Sequence, residues 1–484
     1  MNRISFVVAS LVLLPLSLAA CSSSQSGPDP LPGSSLNLIF VVSEDLTYNA
    51  PGDINSNTAN LTNQGLQHAL MLSSFLKRNV AGDGPLVGIY ALEPMTHLQT
   101  PSRYPDIVPL ETVEQFAMLN QFTIEQAGYP TTTANSYPVF SSYRQGSVPP
   151  LVAPPVSFCS ACQGLDFTDT GDDNEALLSS ILTANVPGDY VFSAPWKTIR
   201  SVMTAVNQLG GFHLALPSEY AGPNIVYAIS VSSPRNAALL VYNSRLPSIS
   251  FYPYLPPLAN VHQACPAPTI NIQVNVGVGG AVLPPGINTN ETVYFIRHAE
   301  AHPTLHWDDG NYIATGQWRA LYLPQALANV IHPSAVYSID PANDIPIPIE
   351  DAAPSSYVRP VLTAEPYAIA NHLPYQLAAS VAVFRSDQSA PHLATLASNY
   401  FFTSEGPNLS NQTILVAWEH DHIPPTVNAL LASYGVPIAT PNWPATDYDT
   451  IWTVHLDGHG NLSIDNSLCE GIDSNLLPPT APQF

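Results

Sequence analysis

The sequence predicts an α/β protein of two domains, each a mainly parallel sheet covered by helices on both faces. Three observations predict it. The chain has 484 residues, too many for one ordinary core. Runs of β-branched and aromatic residues alternate with helical patterns, the order expected of parallel sheets. And six segments recur in the same order in both halves.

In chain order, the first element is a targeting segment. MNRISFVVASLVLLPLSLAAC carries one positive charge, then a short apolar run ending in small residues, as a secretory signal does. Leu18-Ala19-Ala20-Cys21 resembles a bacterial lipobox, with residues 1–20 as signal peptide and Cys21 lipidated. Ser22 after the cysteine favours the outer membrane by that resemblance. Residues 21–35, rich in Ser, Pro and Gly, suit a flexible tether. No second apolar run is long enough to span a bilayer.

The repeats follow. NLIFVVSED (37–45) matches TVYFIRHAE (292–300), a strand ending in a polar turn. LTNQGLQHALML (61–72) matches YIATGQWRALYL (312–323), with Gly65 and Gly316 ahead of a helix. GIYALEP (88–94) matches AVYSIDP (335–341), a second strand. IVPLETVEQFA (107–117) matches YVRPVLTAEPYA (357–368), with Pro109 opposite Pro360 and Glu114 opposite Glu365. DYVFSAPWKTI (189–199) matches TILVAWEHDHI (413–423), a third strand running into a helix. NIVYAISV (224–231) matches DTIWTVHL (449–456), the start of a final hairpin. These assign one domain to 36–250 and another to 288–475, with a Pro/Gly-rich linker at 251–287 and a tail at 476–484. A tandem duplication accounts for the pattern.

The repeats provide an internal control. Parallel sheets place sites at the carboxyl ends of their strands. There the second half has Arg297, His298, Arg359 and His420 where the first has Val42, Ser43, Val108 and Trp196. The scaffold folds without those cations, which assigns them to chemistry. Net charge is −23 with only 13 Lys plus Arg, which excludes nucleic acid as a partner class. Two guanidinium groups can fork onto phosphate oxygens, and a histidine can attack phosphorus. The constellation suits a phosphate monoester. No glycine-rich phosphate loop or evident metal cage accompanies it, so no cofactor and no metal are expected.

These residues carry a family resemblance. FIRHAE is similar to the Arg-His-Gly/Ala motif of the histidine phosphatase superfamily, and YVRPVLTAEPYA to its Arg-x-x-x-Thr-Ala segment. YIATGQWRA and TILVAWEHDHI resemble two further segments, in the right order. The resemblance implies two phosphoglycerate mutase-like three-layer α/β/α domains, the first degenerate and the second catalytic. It implies His298 as nucleophile, and Arg297, Arg359 and His420 as ligands of the phosphoryl oxygens. One branch of the family draws its proton donor from an Asp after the second His, which Asp421 matches, with the neighbouring Glu419 as the other candidate; Glu419 and Glu300 are also expected to line the pocket and bind substrate. The implied protein is a lipid-anchored, extracytoplasmic, metal-independent phosphatase acting on a small phosphorylated substrate. The alternative is a lipoprotein that binds a phosphate ligand with little or no turnover.

Other polar residues read as structural. Pro303 interrupts the spacing of His302 and His306 that would otherwise mimic a metal face. His68, His97, Trp196 and Trp418 read as packing. Cys159, Cys162, Cys265 and Cys469 suit one or two disulfides in an exported chain, with three full pairings possible.

Overall fold

The structure is a computed structural model. It describes residues 27–48, 52–100, 102–125, 128, 130–141, 164–167, 173–255, 261–302, 309–341, 344–345, 355–378 and 390–484. The expected signal peptide, the expected lipidation site Cys21, and Cys159, Cys162 and His306 lie outside them.

The first half runs β1 (Leu36–Val42), α1 (Asn63–Phe75), β2 (Leu86–Ala91), α2 (Val108–Met118), β3 (Val139–Phe140), α3 (Asp173–Ala184), β4 (Gly188–Ala194), α4 (Trp196–Gly210), β5 (Ile225–Ser233) and β6 (Asn236–Asn243). The second runs β7 (Asn271–Val274), β8 (Glu291–Arg297), α5 (Ala314–Leu327), β9 (Ala335–Ser338), α6 (Arg359–Ala370), β10 (Tyr375–Leu377), α7 (Ala390–Phe402), β11 (Thr413–Trp418), α8 (Ile423–Ser433), β12 (Thr450–Leu456) and β13 (Leu462–Cys469). The first sheet has the order β6-β5-β1-β4-β2-β3 and the second β7-β13-β12-β8-β11-β9-β10. Apart from the edge strand β7, the two orders are the same. In each, four strands are parallel and the closing hairpin is antiparallel.

Strand alternation decides which helices cover which face. Leu36, Leu38, Phe40 and Val42 pack with α3 and α4, while Ile39 and Val41 face the α1 and α2 side. In the second half Val293 and Phe295 pack with α7 and α8. Ile296 faces α5 and α6. This second kind of face is shared: α1, α2, α5 and α6 contribute to one continuous core that joins the halves. Gln317 Nε2 donates to Gln115 Oε1 at 2.7 Å, and Asn311 Nδ2 to Glu114 Oε2 at 3.1 Å, across that seam.

Gly65 and Gly316 show why each helix needs glycine near its start. A Cβ would lie 2.1 Å from Asp53 O at the first and 2.6 Å from Glu300 O at the second. Both let a helix press on the loop leaving the sheet.

Two boundary segments take part in the packing. Part of the 251–287 segment is structural, since β7 pairs with β13 and Cys265 bonds to Cys469. The final residues dock rather than trail, with Gln115 Nε2 donating to Pro482 O at 2.8 Å and Trp318 Nε1 to Thr480 O at 2.7 Å. Among the described residues no helix is long and apolar enough to cross a membrane.

Candidate active site

The site grows from the ends of β8 and β11. Arg297 pairs with Trp418 in the last parallel step, so His298 and Glu419 emerge side by side. His298 N donates to Trp418 O at 2.8 Å, which continues the ladder one residue past the strand. The start of α6 supplies the third wall. Thr363 Oγ1 donates to Arg359 O at 2.7 Å and accepts from Ala299 N at 2.9 Å, tying the His298 loop to the helix that begins at Arg359. Arg359 N donates to Gly310 O at 3.0 Å. Gly310 has φ +75°, and a Cβ there would sit 1.9 Å from Ser356 O, so glycine is required for this approach.

His298 is fully enclosed. Its Nδ1 lies 2.7 Å from Ala299 O, a contact that needs a proton on Nδ1 and leaves Nε2 as the reactive nitrogen. Nε2 lies 3.0 Å from Glu419 Oε2. Two lone pairs do not face each other at that distance without a proton, so the pair shares one. Burial pulls the His298 pKa down, the Arg359 and Arg297 charges pull it further, and Glu419 opposes them. Burial pushes the Glu419 carboxyl up, but His298, His420 and Arg359 together hold it well below the usual range. Tyr357 Oη also donates to Glu419 Oε2, and His420 Nδ1 contacts Glu419 Oε1.

The cations are anchored by aromatic rings. The Arg297 guanidinium lies 3.8 Å from the Tyr448 ring centroid, and Arg359 lies 4.9 Å from that of Tyr357. Arg297 also donates to Ala445 O and Tyr448 Oη. Both tyrosines stand edge-on to the His298 imidazole, each with its centroid 6.2 Å away.

The structure therefore gathers Arg297, His298, Arg359, Glu419 and His420. It does not bring in the other two sequence candidates. The Asp421 side chain is 74% exposed, with Oδ1 3.5 Å from His420 Nε2 on the outer side. Glu300 departs from the expected substrate-binding role: Arg319 Nε donates to both its oxygens, at 2.9 and 3.0 Å. Arg319 is fully buried and also holds Glu470 and Ile472 O. A buried guanidinium cannot remain uncompensated, so Glu300 is committed to it. Sequence reasoning missed Arg319, Tyr357 and Tyr448. Tyr357 heads the YVRP segment and Arg319 sits within the α5 pattern, but no spacing marks either. The donor atoms of Glu419, His420 and Asp421 lie within 4.8 Å of one another, enough to consider a metal. Glu419 is already engaged by His298, Tyr357 and His420, so recruiting it to an ion would release the buried imidazole.

No protein-family model matches the chain, and no curated protein matches it. Solved structures do. One is a phosphoserine phosphatase from Entamoeba histolytica crystallised with 3-phosphoglyceric acid: 14% identity, TM-score 0.25, covering 38% of this chain and 100% of that one. A mycobacterial glucosyl-3-phosphoglycerate phosphatase has 12% identity and TM-score 0.24, covering 36% and 97%. YhfR of Bacillus stearothermophilus has 13% identity and TM-score 0.23, covering 38% and 98%.

Proposed function

We propose that the chain is a phosphatase whose second half hydrolyses a small phosphate monoester through a phosphohistidine. The observation that carries this is His298, with Nδ1 tied to the backbone and Nε2 aimed at Glu419 between two buried guanidinium groups. In the proposed step Glu419 takes the proton from Nε2 as the phosphoryl group enters. Nε2 then attacks phosphorus, the bond to the ester oxygen breaks, and that oxygen takes the proton from Glu419. Water next attacks phosphorus and gives its proton to Glu419, and the phosphorus–nitrogen bond breaks. Arg297, Arg359 and His420 neutralise the phosphoryl oxygens, where cationic groups have most effect on the transition state. With charge supplied by side chains, the step requires no metal.

Position favours Glu419 over Asp421 as proton carrier, since a donor must reach the reacting atoms. Attachment to an envelope membrane through Cys21 remains part of the proposal, on the strength of the leader sequence. The degenerate first half is read as the partner of the catalytic half. One observation favours binding without turnover: Glu419 already occupies the face of Nε2 that phosphorus must approach.

The test is hydrolysis of p-nitrophenyl phosphate and of an alkyl phosphate in EDTA, with wild type, His298→Ala and Glu419→Gln. Loss of both activities in His298→Ala is expected, with acid-labile phosphate on the wild-type protein. Glu419→Gln should slow both esters, since dephosphorylation also calls on Glu419, and should cost the alkyl ester far more, since nitrophenolate leaves without a proton. Undiminished activity in His298→Ala would sink the reading. Phosphate binding by a wild type that turns over neither ester would support the binding protein instead.

A further inference from the structure

The carboxyl end of the first sheet is not an empty version of the second. Ser43 replaces His298, and its N–H likewise donates to the neighbouring strand, to Ala194 O at 3.0 Å. Asp45 follows two residues on, where the second half has Glu300. In place of an arginine partner, Asp45 Oδ2 meets His97 Nε2 at 2.6 Å. Asp106 Oδ2 approaches the same nitrogen at 3.9 Å from the segment leading into α2. One donor atom from each of these three residues lies within 4.8 Å of the other two.

Asp106 is the telling member. Its side chain is wholly buried, and neither carboxylate oxygen has a hydrogen bond of ordinary geometry, although the Gln99 amide and the Val108 backbone face it. Gln99 Nε2 and Ser43 Oγ, both buried close by in sequence or fold, are likewise unsatisfied. A buried carboxylate held only by contacts of poor geometry is costly. The His97 ring is fixed in plane by stacking on Phe167, with centroids 3.6 Å apart, and Phe167 also carries the Lys197 ammonium 4.3 Å from its centroid. The His97 side chain keeps 15% exposure, which gives a route from solvent.

We propose that Asp45, His97 and Asp106 bind a divalent transition-metal ion, with Zn2+ as the representative. Two carboxylates and one neutral imidazole match its charge and its mixed N/O ligand preference. Tetrahedral zinc holds such ligand atoms about 3.3 Å apart. The 2.6 Å contact would open and the 3.9 Å contact would close, each by less than about 1 Å. The ion would give Asp106 a direct bond in place of a distant His97 contact and amide contacts of poor geometry. This inference is independent of the phosphatase reading, because it concerns the other half and its readout is metal content.

The experiment titrates Zn2+ into the EDTA-stripped, purified chain against a chromogenic chelator, with Co2+ absorption as a second probe. Wild type and Glu419→Gln should each bind one equivalent with a shared affinity. Asp106→Asn and His97→Gln should weaken it at least about tenfold. Circular dichroism in EDTA checks that each variant is folded; His97→Gln, at a partly exposed position, decides the matter if Asp106→Asn is not. No binding by wild type, equal binding by the folded variants, or loss only in Glu419→Gln would each overturn the proposal.

Discussion

The carboxyl ends of the two sheets hold opposite charge, drawn from different positions. The second sheet presents Arg297, Arg359 and two histidines, and the first presents Asp45, Asp106 and His97. Strand order, register and helix placement are shared around both. Even the hydrogen bond inside the following helix is kept: Thr112 Oγ1 donates to Val108 O at 2.7 Å, as Thr363 Oγ1 does to Arg359 O. The fold is therefore indifferent to what its strand ends carry. What differs is the compensation of buried charge. In the second pocket Arg359 and Arg297 face Glu419 and His298. In the first, two aspartates share one histidine.

The sharpest way to break this contrast is to compare His298→Ala with Ser43→Ala. The first is expected to lower phosphatase turnover by at least about a thousandfold, as loss of a covalent nucleophile does. The second should leave it within about twofold. Comparable losses in both would mean the halves act on one substrate together. Next in size is Arg359→Gln, expected to reduce kcat/KM by roughly a hundredfold or more by removing a cation from the phosphoryl oxygens. Val108→Leu, at the equivalent helix start, should change stability and not kinetics. Steady-state kinetics with thermal melts separates these outcomes.

Much of this contrast was legible in the sequence. An apolar strand running into Arg297-His298 marks a site because a charged pair is a poor end for a buried strand. The four matched segments that form strands align on the strand registers, since each strand's apolar alternation is local. Side-chain commitment is not local. Glu300 and Glu419 looked alike, and only tertiary packing shows that Arg319 claims one and His298 the other. His97 read as packing because Asp45, its partner, is 52 residues away. Tyr448 reaches the site from an irregular loop, where no periodicity exists to flag it.

The disulfide bears on one half only. Cys265–Cys469 closes a loop of 204 residues and pins the edge of the second sheet. By loop-closure entropy its removal costs up to roughly 5 kcal/mol. Cys469→Ser should lower the midpoint of urea unfolding, read by circular dichroism, and the second half should lose its protection against hydrogen exchange before the first. Simultaneous loss would show that the shared core makes the halves one cooperative unit.

The smallest expected effect tests the seam where the halves meet. Glu111 and Glu114 of α2 and Glu365 of α6 are buried there, and Glu365 feels the Glu111 charge across the seam. Burial pushes Glu111 up to about 8, and Glu114 and Glu365 well above the ordinary carboxylate range. A carboxyl whose folded pKa is raised binds its proton more tightly in the folded state. Its contribution is fully present below the unfolded pKa of about 4 and is lost as pH rises through the folded value. Glu419 works the other way, losing its contribution as pH falls below about 4. Stability should therefore peak near pH 4–5 and decline toward pH 8. Glu365→Gln, which cannot ionise, should melt about the same as wild type at pH 5 and higher at pH 8, by roughly 1–2 °C for each kcal/mol recovered. Melting curves in EDTA at the two pH values measure it. An equal shift at both would mean that Glu365 does not change protonation between them, and that the decline toward pH 8 arises elsewhere than at this carboxyl.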